Sequence, residues 1–478
     1  MNWSRTCNLG MLQSNYSTRF RRVVARVVCL NGQVTFHPPK SDHPARRFLA
    51  LLFILIAVAG GCGTPSETQD ELGLATTSPP PSAVDETTTT SVASAVEQES
   101  AVAADSSSTT TIPEEPAIPQ PDIPGVLFVS TSGTDTPGGG RFADDPLRTP
   151  AFAVSQAVSG DIIEIDSGTY APLEIVDMEG LELRSAPGAD ARFTSDSYIE
   201  GAGLRIINSR EIDVNGLTFE RLLWGVQVQA SQEISLSNNV VRDIGQEAIS
   251  ISDESAGVQI VSNIIELTGR REGSDGRFEY RTFGEGIYLG TGSTSADGSV
   301  DVVRDVLIDR NIIRQTTAEA IDVKASVEGV EITNNVIGDI DLASGGAIAI
   351  GRGTREYNAD VTIANNAIYN ITTWGPYTDG IGIRVSSTAR IFGNAIWDAT
   401  HRGILVDEEF RSVDGEGVDI STNLVFATGI ADIEVRPNEL VSVCGTVADP
   451  AVLDFDPGSL DLESIELLIN RLGELTGC

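Results

Sequence analysis

The sequence predicts an all-β chain wound as a parallel β-solenoid, and three observations carry that reading. The string asparagine–any residue–aliphatic recurs at Asn239, Asn263, Asn311, Asn335, Asn366, Asn394 and Asn423, with neighbours 24 residues apart in places and 28, 29 or 31 apart in others. A second short alternating strand follows the asparagines, in EAISIS (247–252), EGIYLG (285–290), EAIDVK (319–324), GAIAIG (346–351), DGIGIR (379–384) and RGILVD (402–407). The 47 glycines and the low aromatic share of 6% suit a repetitive β architecture better than a helical one. At this period each coil buries its aliphatic residues against its neighbours. Stacked asparagines can then bond side chain to side chain along a bend, so the asparagine column reads as structural.

The elements follow in chain order. Residues 1–61 read as a leader. In RRFLALLFILIAVAGGCGT (46–64), Arg46 and Arg47 precede an apolar run from Phe48 to Val58. That run is shorter than the roughly 20 apolar residues of a membrane span and fits the core of an export signal. The ending Ala59-Gly60-Gly61-Cys62 resembles a bacterial lipoprotein box, which implies cleavage before Cys62 and lipid on its sulfur; an ordinary signal cut nearby is the alternative. Residues 1–45 are long for the start of a signal, which points to a translation start placed too far upstream.

Residues 62–124, rich in Ser, Thr, Pro and Glu, cannot bury a core and are expected to form a disordered tether. Extended at about 3.1 Å per residue, such a tether reaches well over about 100 Å. The expected setting is the outer surface of a bacterial membrane, with lipid as the only membrane contact, or secretion. Cys444 and Cys478 are left after the leader and the anchor, and outside the cell two thiols most simply form one disulfide.

Folded sequence is expected from residue 125, with the β-solenoid over 125–437 and a C-terminal cap segment over 438–478. Thr149 can cap a short helix that has Pro150 at its first position. That helix would cover the first exposed sheet edge. Gly160–Ile165 reads as the entry to the first coil. The tail SLDLESIELLINRLGEL (459–475) has helical spacing of Leu and Ile and is expected to close the other end. With 68 acidic against 32 basic side chains and a formal charge of −36, the chain lacks the basic face that a nucleic-acid partner requires. A monomer is expected.

Lys324 is the only lysine after the leader. In EAIDVK, Ile321 and Val323 point inward, so Asp322 and Lys324 share the outer face, roughly 7 Å apart along the strand. Aligning the strand strings puts Ser252, Gly290, Gly351, Arg384 and Asp407 in the lysine's column, so glycines flank it and leave a gap for a chain of sugars. A second column holds Glu247, Glu285 and Glu319, with Asp379 further along. Carboxylates stacked about 5 Å apart repel unless they share a cation, for which calcium is suited, or splay into water.

The loop TGRREGSDGRFEYRTF (268–283) supplies Arg270, Arg271, Arg277 and Arg281 with Phe278, Tyr280 and Phe283. Arginines can fork onto carboxylates or sulfates, and aromatic faces can stack on sugars; pairing with nearby acids is the alternative. Lysine, unlike arginine, can lose its proton and act as a base. Asp322 opposes this by raising the lysine pKa unless a cation shares its carboxylate. A relic of arginine-rich codon usage is the other explanation of a lone lysine.

From Gly125 to about Pro437 the chain resembles the pectate-lyase-like superfamily of right-handed parallel β-helix proteins, on the opening LFVSTSGTDTPGGG, the capping helix and the repeated coils. A more local similarity is to the chondroitinase-B and alginate lyase family on that fold. That family pairs a glutamate calcium ligand with a lysine base five residues later and an arginine on the next coil, a pattern met here by Glu319, Lys324 and Arg352. The resemblance implies that Lys324 removes the proton beside a uronate carboxylate. It further implies that calcium neutralises that carboxylate and that Arg352 assists at the oxygen. The pattern departs at Thr317, where the family has a second glutamate, and at Gly353, where it has a histidine. Glu285 or Asp322 would have to complete the ligand set. His401, the only histidine after the leader, sits in Thr-His-Arg-Gly, faintly similar to the Gly-His-Gly of polygalacturonases.

The reading is a cell-surface protein acting on acidic polysaccharide by β-elimination, with Lys324 and Arg352 catalytic and Ca2+ on Glu285, Glu319 and Asp322. Arg270, Arg271, Arg277, Tyr280, Arg281 and Arg384 would bind the substrate. A non-catalytic glycan-binding scaffold, or a hydrolase using Asp322 and Glu285, are the alternatives.

Overall fold

The computed structural model describes residues 27–30, 33–36 and 124–446, together with 467 and 471. Within 124–446 it leaves out 196–197, 199–200, 271–283, 292–300, 325–326, 343–344, 353–358, 374–379, 408–416 and 437–439. The chain divides into two units, Met1–Thr111 and Ile112–Cys478. In the first, the described residues form an antiparallel pair, Val27–Leu30 against Gln33–Phe36. Cys62 and the expected signal and tether otherwise lie outside the described residues.

The second unit is three parallel sheets, of 12, 10 and 10 strands among the described residues. One coil shows how they are wound. Arg304–Asp309 lies in the first sheet, Ile312–Arg314 in the second and Ile321–Lys324 in the third; Glu328–Thr333 then returns to pair with Arg304–Asp309. The chain is therefore a right-handed parallel β-helix, the hand that strand-to-strand crossovers take. Alternate residues face the interior: Ile308, Ile313, Ile321 and Val323 have no measurable exposure. A one-residue slip would turn each of them outward, which fixes the register.

Each corner has its own device. Between the first and second sheets the seven asparagines named above form a continuous buried ladder. Asn311 donates from its backbone N–H (2.9 Å) and its Nδ2 (3.0 Å) to Oδ1 of Asn335, which donates in the same way to Asn366. The residue before each asparagine is left-handed, from Asn238 (φ 55°) to Thr422 (φ 50°), which makes the sharp turn. Leu217 occupies the equivalent place one coil before Asn239, and its N–H donates to Asn239 Oδ1 at 3.0 Å. Between the third and first sheets a shorter serine ladder does the same work: the N–H of Ser209 donates to Ser231 Oγ, and that of Ser231 to Ser255 Oγ. The hydroxyl column escapes a sequence reading because serine is common and the column runs over only three coils.

At the N-terminal end the helix Pro150–Gln156 begins as expected, with Thr149 Oγ1 accepting from the Phe152 N–H at 3.2 Å. Buried Asp161 clamps this end, accepting both arms of Arg141 at 2.7 and 2.9 Å. At the other end parallel pairing continues through Val441–Cys444 on Val418–Ser421. Cys444 is disulfide-bonded. Cys478 and, apart from positions 467 and 471, the expected C-terminal helix lie outside the described residues.

Candidate cation and substrate site

The site grows out of the corner between the second and third sheets. The residue just inside this corner is small on every coil across the middle of the helix: Gly225, Ala248, Gly286, Ala320, Ala347, Gly382 and Gly403. Coils approach closely here. A Cβ on Gly286 would stand 2.5 Å from the Ala320 carbonyl oxygen, and one on Gly225 2.3 Å from that of Ala248. The preceding residue is thereby held tightly against its counterparts. Glu247, Glu285 and Glu319 stand in that position on successive coils, locked by backbone bonds from Ala248 N–H to Glu285 O (3.0 Å) and from Gly286 N–H to Glu319 O (3.1 Å). The glutamate column expected from sequence is thus real over these three coils. It does not continue to Asp379, which lies outside the described residues, because the pairing puts Gly346 and then Ile381 in that column.

These carboxylates do not splay into water. Glu285 is 3% exposed, Glu319 4% and Asp322 1%, and one oxygen from each lies within 4.8 Å of the others. Glu247, next in the column, accepts from the Trp224 indole Nε1 at 2.7 Å. Burial, reinforced by Glu319, Glu247 and Asp322, pushes the Glu285 carboxyl well above the usual carboxylate range. Burial also raises Glu247, against the pull of Trp224 and Lys324. Glu285 Oε2 is buried and accepts no hydrogen bond among the described residues. Concentrated hard oxygens with a buried acceptor to spare fit a divalent cation such as calcium, whose carboxylate ligands lie at about 2.3–2.6 Å.

In the cation-free protein the Glu285 proton is linked to folding. The unfolded carboxyl ionises near the reference value of 4.5 and the folded one only at higher pH, so the folded state binds the proton more tightly. Stability measured in chelator falls as pH rises from 4.5 through that raised value. Glu285→Gln removes this dependence and raises the neutral-pH denaturation midpoint in chelator, which a pH series of urea titrations checks.

Lys324 lies back over Asp322. Its Nζ is paired with Asp322 Oδ2 and sits 4.9 Å from the centroid of the Tyr288 ring, on the preceding coil. Burial opposes the ammonium, but Asp322, Tyr288 and Glu319 outweigh it, and the lysine pKa is raised. The face is accordingly not the open, glycine-flanked groove expected. Gly290 does lie beneath Lys324, where a Cβ would stand 3.6 Å from the lysine Cβ. On the other side the register shifts between Val323 and Lys324, and Lys324 pairs with Arg352 while Gly351 takes the extra place. Asp322 and Ala349 are buried although they face outward.

The other expected residues fare differently. Arg384 stands in the column of Asp322 and Ala349 rather than that of Lys324, because Ile383, not Ile381, pairs with Ile348. Its Nε donates to Asp407 Oδ2 at 2.8 Å, and Arg436 reaches Asp407 Oδ1 at 2.9 Å. Arg270 faces Asp243 at 3.9 Å. Arg271, Arg277, Phe278, Tyr280, Arg281 and Phe283 lie outside the described residues, as does the side chain of Arg352. The loop they occupy leaves from a pinched base: Thr268 Oγ1 donates to the Gly284 carbonyl, and Gly284 has no room for a Cβ beside Thr317 and Gly269. His401 Nδ1 accepts from the Gly380 N–H at 3.2 Å, a backbone duty. Trp224 and Tyr288 were not legible as site residues, since nothing local marks an outward aromatic as a neighbour of a carboxylate one full coil, three strands, later.

No protein-family model matches the chain, and no curated protein matches it in sequence. Solved structures do match in shape. A rhamnogalacturonan lyase is 12% identical, with a TM-score of 0.50 over 67% of this chain and 87% of that one. The alginate lyase from Paenibacillus sp. str. FPU-7 is 19% identical, with a TM-score of 0.46 over 62% of this chain and 96% of that one. The polygalacturonase from Erwinia carotovora ssp. carotovora is 12% identical, with a TM-score of 0.44 over 68% of this chain and 98% of that one. At 12% identity the likeness to the rhamnogalacturonan lyase speaks to fold alone, and the winding described above places the protein in the right-handed parallel β-helix class.

Proposed function

We propose that the protein is an extracytoplasmic polysaccharide lyase that cleaves uronate-containing glycans by β-elimination. The observation that carries this reading is the packing of three buried carboxylates from adjacent coils against the sole lysine after the leader. Glu285, Glu319 and Asp322 would hold calcium, which supplies positive charge to neutralise the uronate carboxylate. Lys324 Nζ, as the neutral amine once the cation has taken up the charge of Asp322, accepts the proton from the carbon beside that carboxylate. The bond from the neighbouring carbon to the glycosidic oxygen breaks, a carbon–carbon double bond forms, the leaving oxygen takes a proton from water, and the Lys324 ammonium returns its proton to solvent. Arg352, paired to Lys324 across the coils, hydrogen-bonds that oxygen. The Tyr288 ring supports the lysine Nζ, and Arg270 with the adjoining basic loop and Arg384 contacts sugars on either side. A lipid on Cys62 and the tether would place the enzyme at the cell surface.

A hydrolase built on Asp322 and Glu285 is the second reading. One oxygen of each lies within 4.8 Å of the other, too close for an inverting pair, which leaves about 6.5–9.5 Å for its water, and close to the separation of about 5–5.5 Å in a retaining one. Mass analysis of products from a panel of uronate polysaccharides tests the proposal. Each cleaved chain is expected to carry one unsaturated end, lighter by one water than the hydrolysis product. Saturated ends would replace the lyase by a hydrolase, and glycan binding without products would make the protein a scaffold.

A further inference from the structure

We propose that the Lys324 ammonium and a divalent cation compete for Asp322, so that cation binding at Glu285, Glu319 and Asp322 releases the lysine from the site. The inference rests on the cation site of the reading above and adds a switch to it. The Lys324 Nζ is placed on Asp322 Oδ2, at the edge of the three-carboxylate cluster. It offers one positive charge to three carboxylates. It leaves buried Glu285 Oε2 with no hydrogen-bond donor among the described residues. A cation bridging the cluster would sit about 2.3–2.6 Å from its oxygens, whichever oxygen of Asp322 it takes, and at that separation its charge repels an ammonium held on Asp322 Oδ2.

The lysine has somewhere to go. The Tyr288 ring face already lies 4.9 Å from Nζ and can receive an ammonium. Lys324 emerges at the register shift after Val323, over Gly290, whose missing side chain leaves the lysine stem clear on that side. The side chain is also 15% exposed, against 1% for Asp322, so a modest rotation carries Nζ outward. One substitution of cations would thus both fill the carboxylate cluster and present the amine.

The sequence makes the test clean, because Lys324 is the only lysine after the leader. The protein is treated with limiting N-hydroxysuccinimide acetate in chelator or in calcium, with an unstructured lysine peptide added as internal standard, and acetylation of Lys324 and of the standard is followed by mass. Calcium is expected to speed labelling of Lys324 several-fold, saturably and reversibly by chelator, and to leave the standard unchanged. Glu319→Gln is expected to abolish the acceleration; should that variant fail to fold, saturation and reversal in the wild type suffice. Labelling of Lys324 that calcium leaves unchanged or slows, or that accelerates without saturating, overturns the exchange. No glycan is used, so this outcome and that of the product analysis are independent.

Discussion

Lys324→Arg lowers kcat on the preferred uronate glycan by about 10²–10⁴-fold, the usual contribution of a positioned base, with an unchanged thermal midpoint. Arginine keeps what the static structure uses. It is long enough to reach Asp322, it can lie over the Tyr288 ring, and it preserves the charge balance of the cluster. What it cannot do is give up its proton. A structural ion pair would tolerate the exchange, whereas a base would not. Initial rates of product formation and a thermal melt on the same preparation separate the two, and a variant with wild-type turnover would remove Lys324 from the chemistry.

The second large effect is on folding. Asn335→Leu is expected to cost on the order of 3 kcal/mol or more, at about 1–3 kcal/mol for each buried group left unsatisfied. Oδ1 of Asn335 receives the N–H and Nδ2 of Asn311, and its own Nδ2 serves the Ile308 carbonyl at 2.9 Å. Leucine fills the space and satisfies none of them. Position 217 shows that leucine is accepted only where the ladder ends and no asparagine below depends on it. Coils couple mainly to their neighbours, so the damage centres on the coils beside Asn335. A urea titration reads it as a lower midpoint.

The contrast between these two predictions also marks what sequence can carry. The asparagine ladder was legible because one residue type serves one role on seven coils, and its interval sets the coil length. The glutamate column was legible over Glu247, Glu285 and Glu319 for the same reason: each precedes a small residue and an isoleucine. Periodicity failed where the chain departs from it. Arg384 was misplaced by two residues because DGIGIR can be laid on EAIDVK in two registers, and only the pairing of Ile383 with Ile348 decides. The bulge that sets Lys324 against Arg352 instead of Gly351 leaves no mark in the string AIAIGRG. Tyr288 met Asp322 only through the sheet, 34 residues apart in sequence. The burial of the acidic face was also hidden, since an alternating strand pattern reads outward residues as wet.

The central claim is that the outer face of the third sheet is a cation-dependent reaction centre. The direct measurement is the ultraviolet absorbance of unsaturated uronate ends, followed continuously as the full-length protein acts on a uronate polymer in calcium, then in chelator, then in calcium restored. The account predicts that absorbance rises, halts and resumes. Absorbance that rises unchanged through the chelator step, or that never rises on any uronate polymer the protein binds, would contradict it.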